Sequence, residues 1–420
     1  MRIAIIGLGD MGRLYARLFK KGGHQVSGTD LPENIALLKA DSGLQGVNIS
    51  LTAREAVQDA EFVLFSVETS AIDEVVRTTS PYLKAGMIVA GQTSVKAPEI
   101  QAFEKYLPEG VYSTTLHALH GPHVNPAGQT LILINHRCPS DKFDEIKEML
   151  SCTGSSIEIL ASGEEHDKMM ADIQVVTHVG FESIGTSFMH RGVFPWENPL
   201  HTTGLDNVKL LLTLRIFSYK HHVYAGLAMQ NPFSKGDVRT YAQAENELFG
   251  LMISEDAITF KKLIYQAKEK VFKGFPGKLM LNDEVMAEYA LHPLKGDMQN
   301  SHLSLLAMVL TWERLGTDPY KNVLCHTPPF KLRVGMAEYL FMNEDLLEDA
   351  IQAALYNKEI RKDDLAFHTA VQEWAHIVET GDIKGYESHF ERTRSFLADR
   401  LEAGRALSSM LIERLNNEKN

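Results

Sequence analysis

Short β-branched runs alternate with amphipathic stretches over the first third of the chain. Ile3–Ile6, Gln25–Thr29, Val47–Leu51, Phe62–Val67 and Met87–Ala90 read as strands, and the alternation predicts a parallel sheet covered by helices. Between the first two strands, Met11, Leu14, Tyr15, Leu18 and Phe19 follow the spacing of a helix that buries one side, and Gly22-Gly23 ends it. Val111–Leu116 and Thr130–Ile134 extend the sheet and Ile157–Leu160 closes it. From about Glu164 the pattern becomes helical, over Met169–Phe188, Tyr241–Phe272, Ser301–Leu315, Leu346–Leu355 and Tyr386–Leu415. Breaks at Phe194–Pro199, Gly274–Gly277 and Thr327–Pro329 read as loops between helices, and the polar end Asn416–Asn420 as a fraying terminus. The expectation is an α/β sheet domain over residues 1–163 and a large all-α domain over 164–420.

Composition sharpens this by exclusion. A chain of 420 residues exceeds one ordinary core, which supports two domains. A net charge of -12 without a long basic run argues against a nucleic-acid partner. Cys138, Cys152 and Cys325 are odd in number and widely spaced, so neither a disulfide framework nor a metal site is expected. The richest apolar run, Val208–Phe217, is broken by Lys209 and Arg215 and is too short to span a membrane. The first strand starts directly after Met1-Arg2, leaving no room for a leader, and the cytoplasm is the expected location.

Gly7-Leu8-Gly9-Asp10-Met11-Gly12 follows a predicted strand and opens a predicted helix, the context in which a G-x-G-x-x-G spacing marks a Rossmann-type dinucleotide site. Gly7 allows the tight turn, Gly9 the approach of a pyrophosphate, and Gly12 close helix-to-strand packing. Asp30 ends the second strand, where an acid accepts the adenosine ribose hydroxyls of NAD, and Leu31–Asn34 brings no cation for a 2′-phosphate. Ser66, Val67 and Glu68 end the fourth strand at the mouth of the sheet, as candidate cofactor contacts or plain loop residues.

Two segments after later strands carry the candidate chemistry: Gly91-Gln92-Thr93-Ser94-Val95-Lys96-Ala97-Pro98-Glu99-Ile100 and Leu116-His117-Ala118-Leu119-His120-Gly121-Pro122-His123-Val124-Asn125-Pro126-Ala127-Gly128-Gln129. With Glu164-Glu165-His166-Asp167-Lys168 and Asn300-Ser301-His302-Leu303-Ser304-Leu305-Leu306, they make the chain resemble the TyrA-type prephenate and arogenate dehydrogenases, most of all the fungal type, from Gly7 to about Leu355. The resemblance implies that His117 is the catalytic histidine, although Ala118 stands where bacterial members carry proline. It implies that Ser94 lies between nicotinamide and substrate hydroxyl. Gln174, His178 and Tyr224 are implied to line the substrate pocket, and Arg215 to bind a prephenate carboxylate. It also implies NADP, against the NAD reading of Asp30, and a homodimer.

The residue types suit that reaction. A neutral imidazole can take the C4 hydroxyl proton as hydride leaves C4, the C1 carboxylate departs as carbon dioxide, and a guanidinium binds a substrate carboxylate bidentately. Read on their own, the same residues allow other roles. Ser94 equally suits a helix cap near Pro98, Lys96 a surface pair with Glu99, and Gln174 with His178 a buried polar network on one helical face. Arg215, inside an apolar run, needs an anion, either the substrate or a carboxylate such as Asp206. His120 and His123 read as hydrogen-bonded neighbours rather than metal ligands. The function expected is prephenate dehydrogenase, an oxidative decarboxylation of prephenate to 4-hydroxyphenylpyruvate with transfer of hydride to NAD(P). The alternatives are arogenate dehydrogenase, a β-hydroxyacid dehydrogenase, whose lysine on the first helix of the second domain is replaced here by Gln174 and His178, and a non-catalytic dinucleotide-sensing regulator.

Overall fold

The computed structural model describes residues 1–197, 203–290 and 300–417. Residues 198 and 199 of the predicted Phe194–Pro199 break, and 418–420 of the terminus, lie outside the described residues. Contacts divide the chain into two units, Met1–Lys168 and Met169–Asn420.

The first unit is built on eight strands: β1 (Arg2–Ile6), β2 (Gln25–Thr29), β3 (Asn48–Ile49), β4 (Phe62–Phe65), β5 (Ile88–Gly91), β6 (Tyr112–Ala118), β7 (Thr130–Arg137) and β8 (Ser156–Leu160). Their order is β3-β2-β1-β4-β5-β6-β7-β8. Every pairing is parallel except β6 with β7, so the sheet is mostly parallel as the alternation implied. Side chains alternate between two cores: Ile3, Ile5, Phe62, Leu64 and Ala90 pack on one face, and Ala4, Ile6, Val63, Phe65 and Val89 on the other. Burial on both faces explains why these strands read as apolar runs. β3 is shorter than its Val47–Leu51 pattern because at the sheet edge only Asn48 and Ile49 find partners, in Ser27 and Gly28. Strands β1, β4, β5 and β6 run in one direction, so the segments that follow them leave the same edge of the sheet.

The second unit is helical in the described residues, with breaks that periodicity did not show. The expected helix Met169–Phe188 consists of the end of Gly163–Met170, a π-helical segment Ala171–Val175, and Val176–Arg191. The wider turn frees carbonyls, and that of Asp172 accepts a hydrogen bond from Trp312 Nε1 at 3.2 Å. Tyr241–Phe272 divides into Ser234–Ser254 and Ala257–Val271 at Glu255, which takes the left-handed conformation (φ 54°). Asp256 caps the second helix through the Thr259 amide. Tyr386–Leu415 divides likewise into Ile383–Phe396 and Ala398–Asn417. Among the described residues no helix is long and apolar enough to cross a membrane.

Candidate active site

In the first unit, β1 leads into the glycine turn and Gly9 precedes the helix Asp10–Lys21. Gly7 has φ 98°, and a Cβ there would lie 2.3 Å from the Ser66 carbonyl oxygen; one on Gly12 would lie 2.0 Å from that of Gly7. A Cβ on Gly9 would meet no atom within 4 Å. Two glycines are therefore required by packing, while the third opens onto free space before the amides of a helix N-terminus, a fit for a pyrophosphate. Ser66 and Val67 back the turn through contacts with Gly7, whereas Asp10 and Glu68 are exposed, and Met11 is half-buried. Both Asp30 oxygens have protein donors: the Leu8 amide on Oδ2 (2.5 Å), and the Leu31 amide (2.8 Å) and Asn34 Nδ2 (2.7 Å) on Oδ1. Asp30 thus clamps the glycine turn to the end of β2.

Further along this edge the Gly91–Ile100 segment turns into the helix Lys96–Tyr106. The helix begins at Lys96, with Val95 at its cap position, so Ser94 does not cap it; Ser94 is half-buried. Nor is Lys96 on the surface. It is fully buried, its Nζ donating to Glu99 Oε2 at 3.2 Å and to the Leu116 carbonyl at 2.9 Å. Glu99 also accepts from the Thr93 amide at 3.0 Å and from the Thr115 hydroxyl. A Cβ on Gly91 would stand 1.9 Å from Glu99 Cδ, so that glycine makes room for the carboxylate.

His117 is the next-to-last residue of β6. Its Nδ1 lies 2.9 Å from His166 Nε2, and His166 Nδ1 lies 2.8 Å from Asp167 Oδ1. Asp167 accepts the amides of Lys96 and Ala97 as well, both at 2.7 Å. An ionised Asp167 only accepts, so it selects the Nδ1–H form of His166, whose bare Nε2 then accepts His117 Nδ1–H. The row leaves the lone pair of His117 on Nε2. Burial, the neighbouring His166 and the Lys96 charge hold His117 well below the usual imidazole range, and burial with Lys96 does the same to His166. Burial raises the Asp167 carboxyl, opposed by its two amide donors and by Lys96. His120 bonds the Gly121 carbonyl at 3.0 Å. Among the described residues no group of three or more His, Cys, Asp or Glu is arranged to hold a metal.

In the second unit Gln174 falls in the π segment and His178 in the helix after it, so the pair does not share the regular i, i+4 face that periodicity implied. The His178 ring meets that of Tyr224 edge-on, with centroids 4.8 Å apart, and Phe330 at 6.2 Å. Burial lowers His178 well below its ordinary value, with the Arg333 charge adding to the shift. Arg215 is half-buried; its Nη1 donates to the hydroxyls of Ser409 (2.9 Å) and Ser408 (3.4 Å), and its guanidinium lies 5.4 Å from the Tyr219 ring centre. Asp206, considered as its carboxylate partner, is engaged instead by Thr203, Lys209 and Asn300.

Sequence reasoning assigned no role to His166, Asp167, Glu182 or Arg333. The first two lie in a segment already singled out, Glu164–Lys168, but their partners are 49 and 71 residues away. Glu182 is fully buried and accepts from Tyr386 Oη at 2.6 Å; burial pushes its carboxyl up to about 8.

Comparison with known proteins is consistent over the whole chain. The 6-phosphogluconate dehydrogenase C-terminal domain family matches residues 175–417, and the NADP oxidoreductase, coenzyme F420-dependent family matches residues 2–90. A probable prephenate dehydrogenase (NADP+) of Schizosaccharomyces pombe is 40% identical over 99% of this chain and 98% of its own. The prephenate dehydrogenase (NADP+) of Saccharomyces cerevisiae is 38% identical over 98% and 93%. In fold, the chain is similar to the crystal structure of prephenate dehydrogenase from A. aeolicus in complex with hydroxyphenyl propionate and NAD+. That match has a TM-score of 0.53 at 17% identity and covers 65% of this chain and 98% of that one.

Proposed function

The chain belongs to the prephenate dehydrogenase family, and on that premise we propose that it converts prephenate to 4-hydroxyphenylpyruvate and carbon dioxide with NADP. The observation that carries the reading is the row His117–His166–Asp167 on the sheet edge that also bears the glycine turn. The cofactor would be held by Gly7–Gly12, with Ser66, Val67 and Glu68 beside the turn, and when bound it accepts the hydride from C4. NADP is favoured by the names of both fungal relatives, and Asp30, with both oxygens already occupied by protein donors, is a clamp of the loop rather than a selector for NAD.

In this mechanism His117 Nε2 accepts the C4 hydroxyl proton. His166 and Asp167 are positioning residues: they fix the tautomer of His117 and stabilise the imidazolium that forms. Ser94 orients the substrate hydroxyl. Arg215 binds a carboxylate, its present partners being neutral hydroxyls that an anion can displace, while Gln174, His178 and Tyr224 line the ring. As the C4 carbonyl forms, the C–C bond to the ring carboxylate breaks, its electron pair enters the ring, and aromatisation makes the step irreversible. Incubation of the chain with NADP and prephenate labelled in the ring carboxylate tests this. Labelled carbon dioxide and reduced cofactor should appear in equal amounts, and reduced cofactor without carbon dioxide would exclude the reaction.

We also place the protein in the cytoplasm as a homodimer. Three free thiols fit a reducing compartment, and a solution mass of a single chain would exclude the dimer.

A further inference from the structure

The second unit holds a buried cation without a matching anion. Arg333 lies on the helix Pro328–Met342, only 5% exposed. Its Nη1 donates to Thr177 Oγ1 at 2.9 Å, and this is its single hydrogen bond among the described residues; Nε is buried without a partner. Its guanidinium carbon sits 4.3 Å from the Phe330 ring centre and 5.9 Å from that of Phe181. Glu182 is the one carboxylate felt at this guanidinium, but burial keeps it protonated up to about pH 8, so it does not neutralise the charge at neutral pH. Burial lowers Arg333 to about 10, Tyr224 opposing and the Arg215 charge adding to the shift, so it remains a cation.

An uncompensated buried guanidinium is costly unless an anion arrives. Nη1 is anchored on Thr177, which leaves the parallel Nε and Nη2 edge, the geometry that grips a carboxylate with two hydrogen bonds. Around it lie further groups with unmet hydrogen-bonding capacity or aromatic faces. His178 Nδ1 and Gln174 Oε1 are buried without partners among the described residues, and the rings of Tyr224 and Phe330 pack against His178. A second guanidinium, Arg215, acts electrostatically on both Arg333 and Tyr224.

We propose that Arg333 is a substrate-binding residue whose Nε–Nη2 edge takes one carboxylate of a compact cyclic dicarboxylate, while Arg215 takes the other. The inference rests on the function proposed above and deepens it: two guanidiniums beside an aromatic pair match a six-membered-ring dianion better than a monoanion. It assigns to Arg333 a role that neither the motifs nor Arg215 supplies.

The test compares wild type, Arg333→Gln and Arg333→Lys by steady-state kinetics and by melting temperature with and without prephenate. Arg333→Gln should raise KM for prephenate by ~10²-fold or more, the scale of losing one partner of a desolvated charge pair. KM for NADP should stay within about twofold, and prephenate should no longer raise the melting temperature. The ligand-free melting temperature should not fall, because an unneutralised cation has left the interior. Arg333→Lys should recover part of the loss, as a point charge without the fork. Wild-type turnover with an unchanged KM in Arg333→Gln would overturn this inference alone, and absence of wild-type turnover would overturn the functional reading with it. A fall in ligand-free melting temperature accompanied by a rise in both KM values would make Arg333 structural and equally overturn the inference.

Discussion

Replacing His166 by phenylalanine isolates the contribution of the positioning row. The ring keeps its approximate volume, but it can neither accept from His117 Nδ1 nor donate to Asp167 Oδ1, contacts of 2.9 and 2.8 Å in the native protein. The His117–His166 bond is neutral before proton transfer and charge-assisted once His117 is an imidazolium. A neutral bond contributes about 0.5–1.5 kcal/mol and one to a charged group about 1.5–3 kcal/mol. The difference, about 1–1.5 kcal/mol, is gained only as the proton moves, so kcat should fall roughly 5- to 15-fold. Loss of tautomer control would add to this. Asp167 retains the amides of Lys96 and Ala97, so the helix Gly163–Met170 should stay docked within its unit and the variant should fold. The assay is initial-rate reduction of NADP at saturating prephenate, with a melting curve as control. An unchanged kcat in a folded variant would refute the positioning role, as would a loss confined to KM for NADP.

Other outcomes follow from the same geometry. His117→Asn should lower kcat by roughly 10²–10⁴-fold while NADP still raises the melting temperature; unchanged turnover would remove His117 from the chemistry. Because burial and Lys96 depress His117, and the base works when neutral, the acid limb of kcat/KM should lie below pH 6.5 and the rate should be flat from there to pH 8, a profile that a limb above 6.5 contradicts. His117, His166 and His178 all have depressed folded values, so their contribution to stability is present above pH 6.5 and lost as pH falls below it, which denaturation at stepped pH measures. Glu182 has the opposite sign, its folded value of about 8 lying above its ordinary 4.5. Glu182→Gln should therefore stabilise the protein by up to roughly 3 kcal/mol at pH 7 and by nothing at pH 4. Gly91→Ala should destabilise by about 3–5 kcal/mol, the scale of breaking a buried ion pair, because its methyl displaces Glu99 from Lys96.

Much of the first unit was legible because its strands are buried on both faces and its glycines obey steric rules a pattern can express. The segments carrying Ser94 and His117 could be placed at one sheet edge for the same reason. Gln25–Thr29 matches its strand end to end, whereas Val47–Leu51 overran because edge pairing, not propensity, limits β3. In the second unit the π segment and the turn at Glu255 leave the apolar spacing almost undisturbed, so helical stretches were visible and their interruptions were not. The role of a charged residue was hardest to read. Lys96 next to Glu99 looks like a surface pair in the sequence but is buried, since Thr115 and Leu116 supply the remaining partners from β6. Arg333 has its hydrogen-bond partner 156 residues away, and only the folded unit shows that most of its donors go unused.

The central claim is tested most directly by initial rates with prephenate and arogenate, each against NADP and NAD. The account predicts the largest kcat/KM for prephenate with NADP, with formation of 4-hydroxyphenylpyruvate. A larger value for arogenate, or no turnover of either substrate by a chain that binds NADP, would contradict it.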